Sequence, residues 1–405
     1  MNEIILINIS GQDKPGLSSV LMKILADYHV NILDIGQAVI HETLSLGILI
    51  EVPKESGSAS VLKDILFCAH ELNLVSRFTP IDRDDYEHWV DGQGKKRFIV
   101  TLLSRRITAA QMEAVSKIIS SYNLNIEDIN RLSGRVALER EHDKTKACVE
   151  FLIRGELDNS TRIRAEFMEI SQHFDVDIAF QEDNIYRRNR RLVAFDMDST
   201  LIDMEVIDEL AIEAGVGDQV AKITEQAMQG KLDFAESFSQ RLALLEGLDA
   251  GVLEKIARRM SLTEGAAKWS FENQDSLYKT AILSGGFSYF GKHLQDKLGI
   301  DYVFANELEV QDGKVTGKVA GKIVDGKRKA ELLQEIATNE NISLDQVIAI
   351  GDGANDLPML SIAGLGIAFR AKPLVKQSAD HSISTLGLDG VLYLIGFRDR
   401  DADLF

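Results

Sequence analysis

Offset by 94 residues, the first half of the chain falls onto itself. Ile4–Ile9 lands on Phe98–Leu103, and Tyr28, Asn31, Ile32, Asp34 and Ile35 land without a gap on Tyr122, Asn125, Ile126, Asp128 and Ile129. A period of that size points to duplicated domains rather than to a solenoid. Each copy predicts a strand (Ile4–Ile9; Phe98–Leu103), an amphipathic helix (Leu17–Tyr28; Ala110–Tyr122) and two strands, the second being Leu46–Val52 or Ala147–Ile153. A second helix (Ser58–Leu72; Ser160–Phe174) and a last strand (Leu74–Phe78; Val176–Phe180) complete the copy. The order βαββαβ is that of a ferredoxin-like sandwich. The two sandwiches are expected over residues 1–82 and 96–185, joined by the charge- and Gly-rich stretch Asp82–Lys96.

From Arg191 onward buried strands alternate with helices, which predicts an α/β domain over 191–405 built on a doubly wound, Rossmann-like parallel sheet. Its first strand, Leu192–Phe195, stops at a carboxylate, Asp196, and a second follows at Asp198. Read as an extended segment, i and i+2 point the same way, so both carboxylates face the carboxyl end of the sheet, where such sheets bind ligands. Between Asp203 and Tyr278 the pattern is almost wholly helical, an insertion (about 205–278) able to cap the pocket.

Three later segments share that design. Thr280–Leu283 ends in Ser284, Gly285 and Gly286, a hydroxyl and backbone N–H groups suited to a phosphate oxygen. Lys327, Arg328 and Lys329 open a helix over Ala330–Thr338, and a lysine there can neutralise a phosphate and an aspartate together. Val347–Ile350 ends in Gly351, Asp352 and Gly353, with Asn355 and Asp356 one turn on, able to brace Asp352. Asp312-Gly313 reads as a hairpin turn between Phe304–Val310 and Lys314–Val319.

Composition narrows the class of partner. A formal charge of −18 argues against nucleic acid and anionic membranes, which need a basic face. The local basic cluster Arg187, Arg188, Arg190 and Arg191 reads as a solvated linker between domains. Two cysteines, Cys68 and Cys148, without metal spacing, predict no disulfide framework and fit a reducing cytoplasm. Glu3 and the lack of a basic leader predict no signal peptide, and no apolar run approaches the ~18 residues needed to span a bilayer.

Two resemblances follow. The first copy carries Asp13-Lys-Pro-Gly-Leu17 between its first strand and helix and resembles the ACT domain, an amino-acid-binding regulatory module. That resemblance implies a free amino-acid effector near Asp13, Pro15, Gly16 and Leu17, although the same residues also suit a plain turn and helix start. The second copy has Ile107–Gln111 there, without Pro or Gly, and departs from the pattern. Asp196/Asp198, Ser284, Lys329 and Asp352/Asp356, in that order, resemble the haloacid-dehalogenase-like phosphohydrolases over about Arg191 to Gly390. The form Asp196-Met-Asp-Ser-Thr-Leu-Ile202, with Glu205 after it and a helical insertion, is most similar to the phosphoserine phosphatases among them.

The second resemblance implies Asp196 as nucleophile, Asp198 as general acid and base, and Ser284, the Gly285 N–H and Lys329 on the phosphoryl oxygens. It implies Mg²⁺ held by Asp196, the Asp198 backbone carbonyl and Asp352, with Asn355 and Asp356 in support. Glu205 is expected on the substrate ammonium, Arg241 on its carboxylate, and Met228 and Phe234 on the apolar wall. The implied substrate is a small phosphoamino acid, phosphoserine first, in the last step of serine biosynthesis, and a homodimer is expected by analogy with other ACT modules. Two other readings fit the same residues: a phosphotransferase or phosphatase for another phosphoamino acid, and an amino-acid sensor with an inactive hydrolase core.

Overall fold

The computed structural model describes residues 2–138, 145–229, 231–269 and 278–400. The chain divides into two compact units, Met1–Lys95 and Lys96–Phe405.

The first unit contains β1 (Glu3–Gln12), α1 (Leu17–Asp27), β2 (Asn31–Ile40), β3 (Thr43–Val52), α2 (Ser58–Glu71), β4 (Val75–Ile81) and α3 (Arg83–Asp91). Its antiparallel sheet runs β2-β3-β1-β4. Alternation along β1 turns Ile5, Ile7 and Ile9 to one face, where Leu21 and Leu25 of α1 and Val61 and Ile65 of α2 bury them. The stretch after β4, read as a plain joiner, is partly helical: the Asp82 side chain accepts from the Asp84 N–H at 2.9 Å and starts α3.

The second unit opens with the repeat: β5 (Arg97–Ser104), α4 (Ala109–Ser121), β6 (Asn125–Arg131), β7 (Ala147–Arg154), α5 (Ser160–Phe174) and β8 (Asp177–Glu182), in the sheet order β6-β7-β5-β8. The βαββαβ expectation is met in both copies.

The rest of that unit is the doubly wound domain. It runs β9 (Leu192–Phe195), the inserted helices α6 (Val206–Glu213), α7 (Gly217–Met228), α8 (Phe234–Ala243) and α9 (Gly251–Arg259), then β10 (Lys279–Phe287) and α10 (Ser288–Leu298). A hairpin of β11 (Tyr302–Gln311) and β12 (Lys314–Ala320) follows, then α11 (Gly326–Asn339), β13 (Val347–Gly351) and α12 (Leu357–Ile362). The last elements are β14 (Leu365–Phe369), α13 (Pro373–Ser378), β15 (His381–Ile383) and α14 (Val391–Leu394). The seven strands lie in the order β12-β11-β10-β9-β13-β14-β15, all parallel except β12. Along β9, Val193 and Phe195 enter one core while Leu192 and Ala194 enter the other, so both faces of the sheet are covered. Part of the expected cap, residues 230 and 270–277, lies outside the described residues.

The arginine cluster departs from its reading as a solvated linker. Arg187 is 1% exposed, and its guanidinium pairs with Glu150 of β7 and donates from Nε to the Leu394 carbonyl of α14 at 3.1 Å. Arg190 is also buried, whereas Arg188 and Arg191 remain open to solvent. A buried guanidinium needs a full set of acceptors, and the second sandwich supplies the carboxylate. The same seam carries Asp177, which accepts from the backbone N–H groups of Ser384 and Thr385 at 2.9 and 2.8 Å. Leu103, Leu132, Cys148 and Ala179 of the second sandwich share one apolar core with Phe195 and Leu394.

Candidate active site

Every candidate catalytic group sits where the sheet lets go of its strands. Phe195 pairs with Ile282 of β10 on one side and Ile350 of β13 on the other. Asp196, Ser284 and Asp352 therefore emerge together at the carboxyl edge of the three central strands.

The carboxylate pair is not presented by strand alternation as expected. β9 ends at Phe195, and residues 197–200 form a turn in which the Met197 carbonyl accepts from the N–H groups of Leu201 and Ile202 at 2.9 and 3.1 Å. Ser199 takes φ 56° within it. The turn sends Asp198 toward the Val206 N–H (3.3 Å), at the first turn of α6, while Asp196 stays over the sheet edge.

Lys329 is the pivot. Its ammonium is fully buried and lies 2.8 Å from Asp196 Oδ1 and 2.6 Å from Asp356 Oδ1. Burial alone pulls an ammonium toward neutrality, but the two carboxylates prevail and hold it charged above its ordinary range. Its neighbours diverge as their helical positions require: Lys327 is exposed, and Arg328 pairs with Glu331 and Glu335 on the outer face of α11. The cap of α11 is Asp325, which accepts from the Arg328 N–H at 2.8 Å.

Carboxylate oxygens of Asp196, Asp352 and Asp356 all lie within 4.8 Å of one another, the only such cluster among the described residues. Burial, then Asp196 and Asp356, push the Asp352 carboxyl up to about 8. Asp356 is likewise raised by burial and by Asp196, against the pull of Lys329. It also accepts from the Gly353 N–H at 2.9 Å, which fastens the turn holding Asp352. The flanking glycines are there for space. A Cβ on Gly351 would stand 2.4 Å from the Asp356 carboxyl, and one on Gly353 2.3 Å from Asn355 Oδ1.

Asp198 is half-buried, and its carboxyl is pushed well above its ordinary range, chiefly by desolvation, then by Glu205 and Asp196. Glu205 precedes α6, is exposed at its position, accepts from Ser199 Oγ at 2.7 Å and is also raised, first by local desolvation of its carboxyl and against the pull of that hydrogen bond. Ser284 is buried, and its hydroxyl oxygen accepts from the Gly286 N–H at 2.9 Å. Gly285 is fixed from behind: its carbonyl accepts from Asn306 Nδ2 at 2.8 Å, and Asn306 Oδ1 accepts from the Val324 N–H at 2.8 Å.

The inserted helices reach this edge. A Cβ on Gly285 would meet the Phe234 ring at 2.9 Å, so Phe234, stacked on Phe238, rests on the Ser284 loop. Arg241 is partly buried, which lowers its affinity for the proton, while Asp208, Glu205 and Asp198 oppose that shift. Met228 ends α7, but its side chain lies outside the described residues. The Asp312-Gly313 turn is as expected, with φ 49° and 74°, and its hairpin bonds the insertion through Gly247 N–H to Val315 O at 2.8 Å.

Asn306 and Asp208 escape the sequence reading, and Gly286 enters it only for its N–H. A Cβ on Gly286 would fall 2.5 Å from Asp198 Oδ2, so only glycine leaves room for that carboxylate. Asn306 has no local motif, and Asp208 reads as an ordinary acid in a first helical turn. In the first unit, Asp13, Pro15 and Gly16 form an exposed loop after β1, and Leu17 is buried beneath it. Gly16 has φ 93°, the left-handed backbone that favours glycine. A cavity of about 610 Å³ in the same unit lies at the other end of β1, against Ile4, Ile5, Leu33, Phe78 and Tyr86.

Comparison with known proteins decides the family. Residues 3–79 match the ACT domain and residues 193–361 the haloacid dehalogenase-like hydrolases. The chain is 38% identical, over 97% of its length and 93% of the relative's, to phosphoserine phosphatase SerB2 of Mycobacterium tuberculosis. It belongs to the phosphoserine phosphatase family. A Streptomyces coelicolor phosphoserine phosphatase is 37% identical over 98% of the chain and 93% of its own length. Among solved structures, a haloacid-dehalogenase-family hydrolase from Salmonella enterica serovar Typhi aligns with TM-score 0.63 and 31% identity, over 74% of this chain and 99% of that one. Phosphoserine phosphatases are enzymes of the hydrolase class, so the inactive-core reading gives way. No helix of the described residues is long and apolar enough to cross a membrane.

Proposed function

We propose that this member of the family hydrolyses O-phospho-L-serine to L-serine and phosphate, the last step of serine biosynthesis, through an aspartyl phosphate on Asp196. One observation carries the reading: the buried Lys329 ammonium holds the Asp196 carboxylate at 2.8 Å, while Asp198, whose carboxyl desolvation pushes upward, borders the Ser284 loop at Gly286. That arrangement suits a nucleophile paired with a cation and a neighbouring acid able to carry a proton. Asp196 attacks phosphorus, the bond from phosphorus to the serine oxygen breaks, and Asp198 gives that oxygen its proton. Water then attacks the aspartyl phosphate, Asp198 takes a proton back, and the bond to Asp196 breaks. Ser284, the Gly285 N–H and Lys329 face the phosphoryl oxygens in this scheme.

The oxygen-only cluster suits a hard cation, since Asp352 is pushed up to about 8 by burial and by neighbouring carboxylates. Asp196, Asp352 and the Asp198 backbone carbonyl would hold Mg²⁺, with Asp356 and Asn355 behind them. A bound Mg²⁺ neutralises charge on the carboxylates and the phosphoryl oxygens. Glu205 takes the substrate ammonium, Arg241 its carboxylate, and Phe234 and Met228 the apolar side.

Phosphate release from a panel of phosphoamino acids, with Mg²⁺ and with EDTA, tests this. Phosphoserine should be the best substrate and EDTA should abolish turnover. A better rate with phosphothreonine or homoserine phosphate, or with transfer to an alcohol, would move the assignment. Asp196→Asn should lower kcat at least about a thousandfold with the circular dichroism unchanged. We also infer that a free amino acid binds near Asp13–Leu17 and that the chain is a homodimer through its ACT modules. Calorimetry with free amino acids and sedimentation of the full chain test these two, and no binding or a monomer would refute them.

A further inference from the structure

The loop that follows the first strand is an exposed turn in the first sandwich, and in the second it is occupied by the hydrolase domain. Arg105, one residue beyond β5, forks onto Glu264, with Nη1 and Nη2 at 2.8 and 2.7 Å from the two carboxylate oxygens. Its own carbonyl accepts from Thr145 Oγ1 at 2.6 Å, so the loop is anchored as well as the side chain. Arg370, after β14, donates to the same Glu264 carboxylate at 2.8 Å.

Glu264 stands where the inserted helices return to the sheet. The Thr263 N–H donates to Leu201 O at 3.0 Å, Asp203 N–H donates to Ser261 O at 3.2 Å, and Ile202 bridges Leu262. These partners follow directly on the turn that carries Asp198, and Ile202 also bridges Asp198 itself. On the other side Glu264 O accepts from the Leu388 N–H at 2.7 Å. The carboxylate thus joins the second sandwich, the sheet domain and the Asp198 turn at one point. A bidentate arginine fixes orientation as well as charge, which a lysine does not.

We propose that the second sandwich has given up free effectors at this loop and uses Arg105 as a built-in ligand. Held on Glu264, Arg105 is a positioning residue that sets the seam at 261–264 and, through it, the Asp198 turn and the placement of the inserted helices over the site. The proposal rests on the reading above that Glu205, Arg241 and Phe234 bind substrate, for its kinetic arm only.

The test uses the full chain and three variants: Arg105→Ala, Arg105→Lys and Arg164→Ala. Arg164 pairs with Asp380 across the same seam, beside β15 rather than at residues 261–264. Amide hydrogen exchange at residues 261–266 should quicken in Arg105→Ala without substrate present, and KM for the best substrate of the panel should rise about threefold, the size a partly exposed charge pair supplies. The kcat should change less than KM, Arg105→Lys should recover only part of the effect, and Arg164→Ala should leave both readouts alone. A matching effect of Arg164→Ala would reduce Arg105 to a docking contact. Unchanged exchange, or faster exchange with unchanged KM, would overturn the proposal. The exchange arm does not depend on which phosphoamino acid is the substrate, so its failure is separable from that of the assigned activity.

Discussion

Lys329 answers for two buried carboxylates at once, so its loss should be felt in stability and, on the proposed mechanism, in rate. Lys329→Met keeps the apolar stem but leaves Asp196 and Asp356 without their cation, and should cost about 3 kcal/mol in urea denaturation besides lowering kcat at least a hundredfold, roughly. Gly286→Ala separates the two effects. Its methyl would press on Asp198 Oδ2 at 2.5 Å and on Met197 Cε at 2.7 Å, displacing the acid from its place. We expect a loss of about tenfold in kcat with little change in melting temperature, measured by steady-state kinetics and calorimetry. The two residues also differ in how visible they were. Lys329 stood within a recognisable order of strand ends and helix starts. Gly286 matters through an atom it lacks, and nothing in a sequence says which carboxylate will fill that space.

At the scale of elements, the strands and the inserted helices were legible from periodicity, because each buries one face or both. The turn after β9 was not: the strand stops at Phe195, and a turn closed on the Met197 carbonyl, rather than strand alternation, presents Asp198 to the site. The arginine cluster failed for a different reason, since the partner that buries Arg187 is Glu150, on a strand of the preceding sandwich. The seam between these elements has a pH signature. Glu264 is held below its ordinary value of 4.5, first by the hydrogen bond from Arg105, so its contribution is complete above that pH and fades as pH falls through the depressed value. The melting-temperature gap between the parent and Arg105→Ala should be full at neutral pH and close under acid, as read by thermal denaturation across pH 3 to 7, roughly.

The whole molecule divides unevenly. The first sandwich is a compact unit by itself, whereas the second has its own core between sheet and helices and also sends Leu103, Leu132, Cys148 and Ala179 into the core of the hydrolase domain. Removing residues 1–95 should therefore leave a folded enzyme with kcat within about twofold of the parent and, on the proposal that the Asp13–Leu17 loop takes a free amino acid, without that binding. Removing residues 1–185 should strip Glu150 from Arg187 and Asp177 from Ser384 and Thr385, and cost roughly 3 kcal/mol or more in denaturant stability. Equal stability of the two truncations would contradict the shared core.

That shared core also bears on how such a chain can be rebuilt. A duplicated module normally offers two interchangeable parts, but here the copies differ in what they can be traded for. The first can be swapped for another sandwich of the same fold, because its described core residues all lie within residues 1–95. The second can be transplanted only together with the domain that follows it, since Leu103, Cys148 and Ala179 pack the same interior as Phe195.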